Sequence, residues 1–192
     1  ARAAPHFDEE PVISGTRGSG AVFFSGCPLG CVYCQNEELS FQRAGKPVRN
    51  LRAIYERLIT QAYTTSTWSR RAFPARRGGI AAAAPVRAVV WNSSGYESEA
   101  QIAALDGLVD VYLPDFKYAD DDLAVRLSNA PHYCETALVA IHEMVRQTGE
   151  NVYDENGMLQ KGIIIRQLIL PGHTRNSMQR WSSSNSISRA CP

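Results

Sequence analysis

The sequence predicts an α/β protein built on a parallel sheet. Short apolar runs at Ala21–Phe24, Val86–Trp91, Val109–Leu113 and Gly162–Leu170 alternate with stretches whose apolar residues recur at helical spacing. The runs are of strand length, and two of them end in turn-forming residues: Asn92-Ser93-Ser94-Gly95 after one, Pro171-Gly172 after another. Strands alternating with helices imply βα units, whose loops at the C-terminal ends of the strands are the candidate ligand contacts.

Residues 1–19 read as irregular, with Gly15 and Gly18 and few apolar positions. Ala21–Phe24 reads as a buried strand leading through Ser25-Gly26 into a cysteine loop. Asn50 is a plausible N-cap for a helix reaching Ala62, because Leu51, Ile54, Tyr55, Leu58 and Ile59 fall on one face. A helix at about 98–105 separates the second and third runs. Two more, near 120–128 and 135–148, precede the last run, the second with Leu138, Ile141, Met144 and Val145 on one face. From Tyr63 to Ala84 no period is visible. Between Glu56 and Glu97 there is no acidic residue, whereas Arg57, Arg70, Arg71, Arg76, Arg77 and Arg87 lie in that interval, as a basic surface loop would have them. Residues 1–181 form one expected domain, unpatterned over 63–85, and 182–192 form a serine-rich tail with little to bury.

With 44% hydrophobic and 20% charged residues, the composition is that of an ordinary soluble globular protein. A net charge of +1 gives no reason to expect nucleic acid or an anionic membrane as a partner. No apolar run approaches the roughly 20 residues that span a bilayer, and the first residues lack a signal-peptide core. The expected location is the cytoplasm. The chain begins at Ala1, as a processed N-terminus or a piece of a longer chain would.

Three of the five cysteines lie in Cys27-Pro28-Leu29-Gly30-Cys31-Val32-Tyr33-Cys34, spaced C-x3-C-x2-C. A disulfide framework would use a dispersed, even set, so the triplet points to metal ligation. Iron–sulfur cubanes are held by cysteine thiolates, normally four. Three would leave one iron open to a further ligand. Pro28 and Gly30 suit a tight wrap. The rival readings are three buried thiols and a zinc site completed by Cys134, His132 or His173, although no second cysteine knuckle is present. Asp115 and Lys117, two residues apart after a strand, would face one side, as a ligand-holding pair or as a surface ion pair. Arg166 lies inside an apolar run, where it either lines an interior and binds an anion or reaches solvent from an edge strand. Asn92, Ser93 and Ser94 suit hydrogen bonds to sugar hydroxyls or a plain turn. His173 reads as a loop residue, Cys134 as packing and Cys191 as tail. No catalytic side chain is singled out.

C-x3-C-x-aromatic-C after a short strand, with Tyr33 in the aromatic position, resembles the cluster signature of the radical S-adenosylmethionine superfamily. The strings Glu9-Glu10-Pro11-Val12-Ile13-Ser14-Gly15-Thr16-Arg17-Gly18, Trp91-Asn92-Ser93-Ser94-Gly95-Tyr96-Glu97, Asp110-Val111-Tyr112-Leu113-Pro114-Asp115-Phe116-Lys117-Tyr118 and Leu170-Pro171-Gly172-His173 are similar to uncharacterised relatives of pyruvate formate-lyase activating enzyme. The similarity covers about residues 5–62 and 86–178. It implies a truncated, partial (β/α)6 TIM-like barrel. It also implies a [4Fe-4S] cluster on Cys27, Cys31 and Cys34, with S-adenosyl-L-methionine on the open iron. Reductive cleavage of that cofactor to a 5'-deoxyadenosyl radical would abstract hydrogen from a substrate. Tyr33, Asn92, Ser93, Ser94, Asp115, Lys117 and Arg166 would contact the cofactor. The implied partners are an electron donor such as flavodoxin or ferredoxin and a protein substrate, with no nucleic acid and no membrane.

Relatives of this kind carry more chain at both ends and a second strand where this chain has Tyr63–Ala84. That segment and the residues after Met178 therefore read as out of frame relative to an ancestral gene, which inspection of the coding DNA decides. Three functions follow: a radical enzyme, a remnant that binds a cluster without turnover, and a metal-binding module without catalysis.

Overall fold

The computed structural model describes residues 2–42, 47, 50–60, 65–69 and 88–179. The arginine-rich stretch 70–87, the serine-rich tail and Cys191 lie outside the described residues, as do Ala62, Val86 and Arg87, which were expected in a helix and a strand.

Among the described residues, seven strands form one open, mixed sheet: β1 (Arg2–His6), β2 (Ser19–Phe23), β3 (Thr65–Ser69), β4 (Val89–Ser93), β5 (Val111–Pro114), β6 (Val152–Tyr153) and β7 (Leu159–Ile163). Their order is β1-β2-β3-β4-β5-β7-β6. β2 to β5 and β7 run parallel, while β1 and β6 add antiparallel at the two edges. The helices among the described residues are α1 (Pro11–Ser14), α2 (Glu37–Ser40), α3 (Leu51–Thr60), α4 (Glu99–Ala103), α5 (Asp121–Ser128) and α6 (Tyr133–Thr148). The chain is thus α/β with a mostly parallel sheet, and among the described residues the sheet does not close into a barrel.

Both faces of β4 and β5 are covered, which is why they read as nearly continuous apolar runs. Val89 and Trp91 of β4 and Tyr112 of β5 pack with Ile102, Leu105, Ala140 and Met144 of the helical layer. The alternate residues Val90, Val111 and Leu113 pack on the other face with Ile13 of α1 and Leu159 of β7. A third cluster joins α5 and α6, through Leu123, Ala124, Tyr133, Ala137 and Ile141, to Leu29, Cys27 and Cys31 of the cysteine loop.

The helix caps match the sequence. Asn50 accepts the Ala53 amide through its side chain at 3.1 Å, and Ser98 and Gln101 form a reciprocal capping box at the start of α4. Four strand expectations change. Residues 1–19 are not irregular, since Arg2–His6 pairs antiparallel with β2 and Pro11–Ser14 is helical. Proline is tolerated in an edge strand such as β1. The interval from Tyr63 to Ala84 contains a central strand, β3, with parallel neighbours on both sides; its sequence Thr-Ser-Thr-Trp-Ser lacks the apolar run by which strands are recognised. β7 begins at Leu159 and ends at Ile163, earlier than the apolar run implies, and pairs with β6, which was not expected. Beyond Ile163 the backbone stays extended against β5: Ile164 donates to the Tyr112 carbonyl and Arg166 to that of Pro114, both at 2.9 Å.

Candidate functional site

Because successive strand residues alternate between faces, the face that is apolar low in the sheet continues upward as a row of polar residues. Val90 leads to Asn92, Leu113 to Asp115, and Ile164 to Arg166. Asn92, Asp115, Lys117 and Arg166 line one cavity of about 610 Å³ at the C-terminal ends of the parallel strands, together with Ala21 and Phe23 of β2. Cys27, Cys31, Tyr33 and Cys34 line the same cavity. All four are half-buried.

The cysteine loop is held from two sides. The last turn of α5 leaves carbonyls without partners in the helix. Gly30 donates to that of Ser128 at 2.7 Å and Val32 to that of Leu127 at 2.9 Å. Asn129, in the left-handed region (φ 49°), ends the helix and turns the chain away. On the other side, Gly26 donates to the Leu39 carbonyl at 2.7 Å, and the Cys34 thiol meets the Ser40 hydroxyl at 3.4 Å. Cys31 Sγ accepts from Ser128 Oγ at 2.9 Å.

Charged groups form a network across four segments. Arg166 donates from Nε to Asp115 Oδ1 at 3.0 Å, from Nη1 to Glu9 Oε1 at 3.0 Å and from Nη2 to Asn92 Oδ1 at 2.8 Å. Asn92 Nδ2 donates to Glu9 Oε2 at 2.9 Å. Lys117 Nζ donates to Asp115 Oδ2 at 2.5 Å. The Glu9 side chain is only 4% exposed, against 27% for Arg166. Asp115 and Lys117 therefore face one side and form an ion pair, and Arg166 lines the cavity instead of reaching solvent from a strand edge.

Ser93 and Ser94 do not line the cavity. Ser93 follows Asn92 in the strand and so points to the opposite face, where its hydroxyl accepts the Gly95 amide at 3.1 Å. Ser94 is fully buried. Gly95 (φ +75°) packs so tightly on the Asp115 carbonyl that a Cβ there would strike it. Below both strand exits lies Tyr133, fully buried at the start of α6. Its hydroxyl accepts the Lys117 amide at 2.9 Å and stands within donating distance of the carbonyls of Ser94 (3.0 Å) and Asp115 (2.9 Å). Burial pushes the Tyr133 hydroxyl well above the ordinary tyrosine range. Tyr133→Phe should lower stability by about 1–3 kcal/mol, because it leaves a buried amide without its acceptor; urea unfolding measures the loss.

Glu9, Tyr118, Ser128 and Tyr133 belong to the site and its support, yet the sequence reading assigned them no role. Glu9 and Tyr118 carried a signal, since both stand in the family-like strings. His173 does not line the cavity; its amide donates to the Leu170 carbonyl at 3.0 Å. Cys134 packs against Tyr118, with its sulfur 3.6 Å from that carbonyl, and burial, then Asp121, push its thiol up to about 12.

Among the described residues, no three His, Cys, Asp or Glu side chains converge on a point that one metal ion could fill. A cubane does not ask for such convergence, since each thiolate takes its own iron. Three thiols on one cavity wall, one of them already accepting a hydroxyl hydrogen bond, are a donor set that such a cluster can use. Among the described residues no helix is long and apolar enough to cross a membrane.

The fold and site together define an α/β protein with a cysteine-lined, charged cavity at the carboxyl ends of parallel strands. No protein-family model matches the chain. Over 183 residues it is 26% identical to an uncharacterized protein of Methanocaldococcus jannaschii, an alignment that covers 88% of this chain and 48% of that protein. The chain thus spans about half the length of that curated relative.

Proposed function

We propose that the chain is the core of a radical S-adenosylmethionine protein similar to pyruvate formate-lyase activating enzyme, its sheet forming part of a partial (β/α)6 barrel. Cys27, Cys31 and Cys34 would hold a [4Fe-4S] cluster, and the cavity they line would take S-adenosyl-L-methionine. When bound, this pair supplies reductive cleavage of a sulfonium and hydrogen abstraction from a substrate.

The observation that carries the reading is that the three thiols and a charged set of both signs open onto one cavity. Carboxylates of Asp115 and Glu9 suit an ammonium group, and Lys117 and Arg166 suit a carboxylate, so the wall matches an amino-acid zwitterion. Asn92 adds an amide that can face sugar hydroxyls. Phe23, Phe24, Leu29 and Leu39 supply apolar lining that helps exclude water from a reactive intermediate. An electron donor of the flavodoxin or ferredoxin kind and a protein substrate are the partners this chemistry calls for.

The test is anaerobic reconstitution with iron and sulfide, then incubation with S-adenosyl-L-methionine and a strong reductant. Formation of 5'-deoxyadenosine is the expected result. A cluster without that product would leave a non-catalytic remnant. Zinc retained in place of iron would leave a metal-binding module.

A further inference from the structure

A line of hydroxyls runs from the cavity wall through the α5 cluster to one sulfur. Tyr33 contacts Tyr118 through their hydroxyls. The Tyr118 hydroxyl lies 2.5 Å from Ser128 Oγ, and Ser128 Oγ donates to Cys31 Sγ at 2.9 Å. Tyr118 and Ser128 are both fully buried. Each hydroxyl has a single hydrogen to give. Once Cys31 is a thiolate, its sulfur only accepts, so Ser128 points its hydrogen there. Ser128 then accepts from Tyr118, and Tyr118 from Tyr33. The direction of the whole chain is fixed by the sulfur at its end, and each bond polarises the next.

Three of the loop's own amides are committed elsewhere. Those of Gly30 and Val32 bond the α5 carbonyls, and that of Cys34 bonds the Cys31 carbonyl at 3.2 Å. In many cysteine loops such amides donate to the sulfurs. Here a side-chain hydroxyl, braced by two tyrosines, does so at Cys31.

We propose that Ser128, polarised through Tyr118 and Tyr33, is a positioning residue that sets the reduction potential of the cluster by donating to the Cys31 sulfur. This rests on the cluster reading above. Reduction adds negative charge to the cluster and its sulfurs, so a donor to sulfur favours the reduced form. Removing it makes the cluster harder to reduce. The three residues act on one ligand in graded order: Ser128 directly, Tyr118 at one remove, Tyr33 at two.

The experiment is a redox titration of anaerobically reconstituted protein, followed by electron paramagnetic resonance, on the native chain and on Ser128→Ala, Ser128→Thr, Tyr118→Phe and Tyr33→Phe. Iron and sulfide content is measured first. A native chain without a cluster overturns the parent reading and this inference with it. With clusters present, Ser128→Ala should show about tenfold less reduced cluster at a fixed potential, equivalent to 59 mV for a one-electron couple. Tyr118→Phe should move the same way by less, Tyr33→Phe by less again, and Ser128→Thr should restore the native value. Should the alanine variant fail to fold, Tyr118→Phe carries the test, since it keeps the ring and removes only the hydroxyl. Full cluster content with unchanged potentials in these variants would overturn the inference while leaving the parent reading intact.

Discussion

Arg166→Leu is expected to destabilise the protein by about 2–4 kcal/mol, measured by urea unfolding. The substitution removes the fork that joins Glu9, Asn92 and Asp115. Glu9 is the costly partner, because its side chain is nearly closed to water and would be left without its cation. The loss falls short of a fully buried pair for two reasons. Arg166 and Asp115 are partly exposed, at 27% and 20%, and Lys117 still neutralises Asp115. Arg166→Lys should recover only part of the loss, since one ammonium cannot reproduce a planar fork reaching three acceptors on separate segments. A loss below about 0.5 kcal/mol for Arg166→Leu would put the network among ordinary surface ion pairs.

Gly95→Ala should cost about 3 kcal/mol or more, well beyond the usual effect of a point change. A side chain in the left-handed region costs about 1–2 kcal/mol by itself. The remainder comes from the Asp115 carbonyl, which the new Cβ would strike and which belongs to the backbone exit of β5. Moving it disturbs Tyr133 below and the Asp115 carboxylate above, so stability and the site should suffer together. Gly107→Ala is the control. Gly107 has almost the same backbone angle, φ +73°, but nothing lies within 4 Å of its added Cβ. It should lose only the conformational part. Equal losses at the two positions would show that the close approach to Asp115 carries no energy.

The parts of the fold legible in the sequence are those whose packing is written locally. β4 and β5 are covered on both faces and so appear as apolar runs. α3, α4, α5 and α6 show one apolar face each, with side-chain caps at Asn50, Ser98 and Asp120. β3 is illegible because main-chain pairing to two neighbours places it in the sheet, and its sequence Thr-Ser-Thr-Trp-Ser shows no apolar pattern. β1 and β6 are edge strands, where propensity is weakest as a guide.

The site divides the same way. The cysteine triplet announces itself by spacing alone. One partner of Arg166, in contrast, stands 157 residues away at Glu9, and only the fold joins them. Ser128 meets Cys31, with Tyr118 bonded behind it, because α5 docks its C-terminus on the cysteine loop, a contact with no local signature. Ser93 was open to a simple argument: a strand residue next to Asn92 points to the other face.

The most direct test is the iron and acid-labile sulfide content of anaerobically reconstituted protein, native and with Cys27, Cys31 and Cys34 each changed to serine. About four irons and four sulfides per native chain, lost in each variant, is the result expected of a cubane on three thiolates. A native chain that takes up neither, or serine variants that keep both, would contradict the account.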